Sequence, residues 1–175
     1  MTVPVAQAGP VRLAPRRRRP QGLALMEALV AVVLLSACAL AYAALQMRGL
    51  AASHSAMWRS KATLLAYEMA DRMRANRTAV ASGQYNSLTA PQGPGACGSD
   101  SACAPAAMAQ LADAQWSATL GRELPGGSGV VCLDTSPDDG SAASPGCSGS
   151  GSMLAVKVFW SERGQVARLA LAVRP

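Results

Sequence analysis

The side chains that could do covalent or metal chemistry in this 175-residue chain are five cysteines, one histidine and ten carboxylates. Their spacing allows little of it. His54 has no second histidine or closely spaced cysteine pair with which to build a four-ligand zinc site. Cys97 and Cys103 stand too far apart for a redox CxxC pair. Asp138-Asp139-Gly140 begins like a calcium loop but lacks the later ligands, so it reads as a turn. The serines fall in loops with no base near them in sequence. The chain therefore predicts no catalytic residue, no metal and no cofactor. What remains is chemistry done on the chain: four cysteines beyond residue 90, a glycine at position 22 behind a run of arginines, and a carboxylate, Glu27, inside an apolar stretch.

Composition says which elements carry these residues. Half of the chain is apolar, much of it alanine, while aromatic residues make up 4%. That balance argues against a disordered chain, a collagen-like repeat and an aromatic-rich β-barrel. A net charge of +6 would ordinarily suggest nucleic acid, but Arg12 and Arg16 to Arg19 crowd the first twenty positions and no acidic residue precedes Glu27. From Leu23 to Leu45 the only charge is Glu27, with Ser36 and Tyr42 as the other polar side chains. As a helix this run extends about 34 Å, enough to cross a hydrocarbon core of roughly 30 Å. Arginines before the run and few after it place the N-terminus in the cytoplasm and the remainder outside, so no nucleic-acid role is expected. Cys97, Cys103, Cys132 and Cys147 then lie in an oxidising compartment and form two disulfides. Three pairings are possible, and sequence proximity favours Cys97 with Cys103 and Cys132 with Cys147.

No proline interrupts residues 21 to 90, so the helix is expected to continue to about Asn76, with Gly49 its weak point. Trp58, Ala62, Leu65, Met69 and Met73 recur at helical spacing and predict its buried face. Residues 82 to 106 read as a Ser/Gly/Pro-rich loop. A second helix is expected over Ala106 to Leu124, with Met108, Leu111, Trp116 and Leu120 facing inward and Leu124-Pro125-Gly126-Gly127 stopping it. Val130 to Leu133 predicts a short strand and Asp134 to Gly151 a polar loop. Leu154 to Trp160, a turn at Ser161 to Gly164, and Gln165 to Val173 predict an antiparallel hairpin.

A carboxylate in an apolar helix costs about 2.5 to 3.5 kcal/mol near a membrane centre and less near an end, so Glu27 needs a reason. It is the fifth residue after Gly22. The segment Gly22-Leu23-Ala24-Leu25-Met26-Glu27-Ala28-Leu29-Val30-Ala31 resembles the class III signal of type IV prepilins and pseudopilins, in which Leu23 and Ala24 stand where Phe and Thr are usual. The resemblance implies that a prepilin peptidase cuts after Gly22, that Leu23 becomes a methylated N-terminus, and that Glu27 is kept for assembly. Such a cut removes the arginines but retains the apolar helix, unlike an ordinary signal peptide. It also leaves 11 basic against 10 acidic side chains, because five of the 16 basic residues go with the leader. Ala66-Tyr67-Glu68-Met69-Ala70-Asp71-Arg72-Met73-Arg74-Ala75-Asn76-Arg77, together with Asp113, Trp116, Leu124 to Gly127 and Val158 to Arg163, is similar to the minor pilins called type IV pilus modification protein PilV.

The expected fold is α+β and pilin-like: residues 1–22 a cytoplasmic leader, 23–46 a transmembrane and assembly helix, 47–80 its amphipathic continuation, and 81–175 a disulfide-stapled head. By the resemblance, the chain is a minor pilin that initiates or modifies type IV pilus assembly, with twitching motility and adhesion as the processes served. Its partners would be other minor and major pilins, the prepilin peptidase and the inner-membrane assembly platform. It would sit in the inner membrane with its head in the periplasm before joining the pilus. Leu29, Val33 and Leu40 would join Leu23 and Glu27 in packing on neighbouring helices. A type II secretion pseudopilin would carry the same signal. Leu35-Ser36-Ala37-Cys38 also matches a lipoprotein processing site, which would put a lipid on Cys38, although the apolar run continues past it.

Overall fold

The structure is a computed structural model describing residues 21–88, 97 and 103–174. The leader up to residue 20 and most of the loop before Cys103 lie outside these residues. The elements are α1 (Gln21–Ala75), α2 (Arg77–Ala81), α3 (Pro105–Glu123), β1 (Ser128–Leu133), β2 (Leu154–Glu162) and β3 (Gln165–Val173). A long apolar N-terminal helix and a small antiparallel sheet define an α+β, pilin-type organisation. The chain divides into two compact units, 1–48 and 49–175, with the division at Gly49 inside α1.

In the first unit α1 is apolar from Leu23 to Leu45 except at Glu27, Ser36 and Tyr42. It has no proline, and Ser36 donates its hydroxyl to the Val33 carbonyl at 2.8 Å, so its one serine is satisfied within the helix.

In the second unit the C-terminal part of α1 is amphipathic. Ala62, Leu65, Met69 and Met73 are buried and Trp58 packs against them, with Ala66 and Ala70 completing the stripe. α1 stops because Asn76 takes a non-helical conformation, φ −116°. Its N–H still bonds back to Met73 at 3.1 Å, its Oδ1 caps α2 by accepting from Ala79, and its Nδ2 donates to the Pro105 carbonyl at 2.8 Å. One buried amide therefore joins the ends of three helices. The long helix ends where it was expected to, near Asn76, and the last residues of the 47–80 segment form a separate five-residue helix behind that cap.

α3 starts with Pro105 at its first turn, where the missing N–H costs nothing. Its inward face differs in part from the one read from spacing. Trp116 and Leu120 are buried as expected, together with Ala109, Ala112 and Asp113, while Met108 is 45% exposed and Leu111 is only partly covered. The reason is Trp116, whose indole N–H must reach the Leu65 carbonyl at 2.8 Å, so small alanines, not Met108, face the core.

The sheet order is β1-β2-β3, antiparallel throughout. Val131, Val156 and Leu171 stand opposite one another, on the face that packs on the helices. β2 extends to Glu162, and Arg163 and Gly164, with φ of 54° and 77°, make a two-residue turn. Both positive angles suit the primed turns whose twist matches the flanking strands. Alternation predicts β2 to have one solvated face, yet Leu154 through Trp160 are buried on both sides. The second face, with Val130, Cys132 and Phe159, is covered by the 134–151 loop through Cys147.

Candidate assembly site

From Leu23 to Leu50 every side chain of α1 is exposed, including Leu23 at 70% and Leu40 at 73%. Leu29 and Val33 stand one turn apart and share a face with Leu40. An apolar surface of that length is far larger than a soluble monomer carries. α1 is long and apolar enough to cross a membrane by length and composition. Glu27 is exposed on this helix, one turn from Leu23, and Cys38 is exposed within it as a free thiol. Gly22 lies in the first turn of α1. Leu23, Glu27, Leu29, Val33, Cys38 and Leu40 thus all lie on the exposed apolar part of α1.

Cys97 is joined to Cys103 and Cys132 to Cys147, with Cα separations of 5.0 and 6.0 Å. His54 is exposed, 6.0 Å from the Trp58 ring. No cluster of histidine, cysteine and carboxylates able to hold a metal occurs among the described residues. Asp71, Arg72 and Arg74 form ion pairs at the surface of α1: Arg72 with Glu68 at 2.7 Å, and Arg74 with Asp71 at 2.6 Å. Arg72 also reaches Gln115 on α3 at 2.9 Å, so it is a tie between helices as well as a solvated charge. A hollow of about 620 Å³, lined by Met73, Arg74, Arg77, Val80, Ala81 and Val173, opens beside the end of β3.

Sequence reasoning missed the head's buried ionisable groups. Lys157, in the middle of β2, is fully buried and paired with Asp134 at 2.5 Å and Asp139 at 2.8 Å. Burial alone would lower the Lys157 pKa, but the two carboxylates outweigh it and the value is raised. Contact with Lys157 holds Asp134 at about 2 despite burial, with help from the Ser136 and Ser148 amides. Asp139 is lowered by Lys157 and by the Ser136 hydroxyl. Asp138 pairs with Arg168 of β3 at 3.3 Å, so the Asp138-Asp139-Gly140 turn is fastened to two strands. Asp113 is the contrasting case: burial pushes its pKa up to about 6, and its Oδ1 has no hydrogen-bond partner among the described residues. The available signal for Lys157 was a lone charge between Val156 and Val158, preceded by a loop with three aspartates, 134, 138 and 139.

Residues 44–114 match the family model described as Tt1218-like, type IV pilin Tt1218. The matched segment runs from inside α1 through α2 into α3 and covers 71 of the 175 residues; it supports a type IV pilin. No curated protein and no solved structure matches the chain.

Proposed function

We propose that the chain is a minor pilin of the PilV kind, which helps to initiate or modify type IV pilus assembly. The observation that carries this reading is the exposed apolar length of α1 with a single carboxylate near its start; the pilin-family match downstream supports it. The prepilin peptidase cuts after Gly22 and methylates Leu23. The mature subunit is then held in the inner membrane by Leu23 to Leu45, with the disulfide-bearing head in the periplasm.

Moved from lipid into a bundle of pilin helices, the apolar side chains keep an apolar environment, and Leu29, Val33 and Leu40 pack on neighbours. Glu27 does not. A buried carboxylate without a cation is costly, and the cut supplies a cation in the new N-terminal amine of Leu23. Glu27 of one subunit paired with that amine on the next fixes the register between helices. Other minor and major pilins and the assembly platform are the partners in this scheme, and twitching and adhesion are the processes served.

Mass spectrometry of the mature N-terminus tests the reading. The expected product begins at methylated Leu23, and Gly22→Trp leaves an uncut precursor. An intact Met1 terminus or an acylated Cys38 in the wild-type protein would refute it. Loss of type II secretion with normal piliation in a deletion strain would reassign the subunit to a pseudopilus.

A further inference from the structure

An assembly role for α1 does not require an ammonium sealed inside the head, yet β2 carries one. Lys157 lies on the face of β2 away from the helices, with Phe159, and is fully buried. Its Nζ pairs with Asp134 Oδ2 at 2.5 Å and donates to Asp139 Oδ1 at 2.8 Å, the Pro145 carbonyl at 2.8 Å and the Asp139 carbonyl at 3.2 Å. The Gly146 carbonyl is at 3.5 Å. The ammonium has three protons, so it is surrounded by more oxygens than it can serve with separate bonds. That is the environment of a cation in an oxygen cage.

All of these oxygens come from residues 134–146, the stretch that lies between Cys132 and Cys147. The backbone is shaped to the cage: Gly140 and Gly146 have φ of 86° and 73°, and a Cβ at Gly146 would press on the Asp139 carboxylate that holds Lys157. The two ends of the stretch are joined without the sulfurs. Asp134 Oδ1 accepts from the Ser136 and Ser148 amides at 3.1 and 3.4 Å, and the Gly149 amide donates to the Leu133 carbonyl at 2.9 Å. Ser148 adjoins Cys147, and Leu133 adjoins Cys132.

We propose that the Lys157 ammonium is a built-in cation that closes residues 134–146 into a strap over the sheet and thereby sets Cys147 against Cys132, so that the disulfide seals a loop the ion cage has already closed. Four thiols allow three pairings, and the cage selects this one. In the sealing step the two thiols give up two protons and two electrons to an external disulfide such as oxidised glutathione, which leaves as two thiols. By linkage, the equilibrium constant for sealing scales with the fraction of reduced molecules whose strap is closed, so a change that opens most of them makes the bond easier to reduce.

The test uses the full-length protein in detergent micelles. In the double variant Cys132→Ser, Cys147→Ser, amide exchange at Ser148 and Gly149 is expected to remain at least 100-fold slower than in an unstructured peptide; exchange at unstructured rates would overturn the proposal. With the cysteines intact, Lys157→Met should make the Cys132–Cys147 bond at least tenfold easier to reduce in a glutathione buffer, with Cys97–Cys103 as the internal reference. If Lys157→Met does not fold, Asp139→Asn serves instead, because that half-exposed carboxylate can be neutralised with the Lys157–Asp134 pair kept. In the cysteine-free double variant Asp139→Asn is then expected to lower protection at Ser148 and Gly149 two- to fivefold, and unchanged protection in the folded protein would refute the proposal.

Discussion

Asp113 makes the head less stable at neutral pH than its shape allows. Its side chain is 2% exposed on the buried face of α3, and burial moves its pKa from 3.8 to about 6. A carboxyl raised in the folded state binds its proton more tightly there than in the unfolded chain. Between about pH 4 and pH 6 the folded state therefore holds more protons, and stability falls as pH rises through that window. Two units at about 1.4 kcal/mol each would be about 3 kcal/mol; allowing for relaxation and water around the ionised group, about 2 kcal/mol is the expected loss by pH 7. Asp113→Asn keeps the shape and removes the ionisation, so the variant should be more stable by about 1 to 2 kcal/mol at pH 7 and nearly equal to wild type at pH 4. Urea unfolding followed by fluorescence of buried Trp116 and Trp160 measures both. A variant less stable than wild type at pH 7, or parallel pH profiles for the two proteins, would show that Asp113 is ionised and well paired, and would refute the reasoning.

Asp134 works in the opposite direction. Its depressed pKa contributes stability that is complete above about pH 4 and is lost as pH falls through about 2, so acid titration should release the strap, seen as loss of amide protection at Ser148, before the helical far-UV signal is lost. Asn76→Ala removes a cap and the bond to Pro105 at once and should cost about 1 to 3 kcal/mol in the same urea assay; a cost below 0.5 kcal/mol, within the ordinary range for surface changes, would show that the junction is held by packing alone. Trp116→Phe loses the bond to Leu65 and part of a fully buried ring, and is expected to cost about 2 kcal/mol, with wild-type stability counting against the tie. Glu27→Ala should be processed normally but assemble poorly, and unimpaired piliation would remove the register role.

The elements that depend on local pattern were legible in the sequence. The 21–75 helix follows from an apolar, proline-free run joined to a 3.6-residue stripe, and both strands of the C-terminal hairpin follow from alternation around Arg163-Gly164. The face of α3 was legible only in part: Trp116 and Leu120 are buried as read, but Met108 is not, because the Trp116 indole bonds to a carbonyl 51 positions earlier in the chain. Asn76 could be seen as the end of a motif but not as a joint between three helices, since Pro105 meets it only in space.

Cysteine number, charge order and apolar length are properties of the chain itself, and by themselves they determined a long apolar helix and a stapled head. Burial is a property of the fold. Lys157 is buried because the 134–151 loop lies over β2, and Asp113 because α3 turns it inward. Only the tertiary structure decided that one of these charges is caged by oxygen and the other is left nearly alone, because desolvation and pairing depend on neighbours that sequence separation does not reveal.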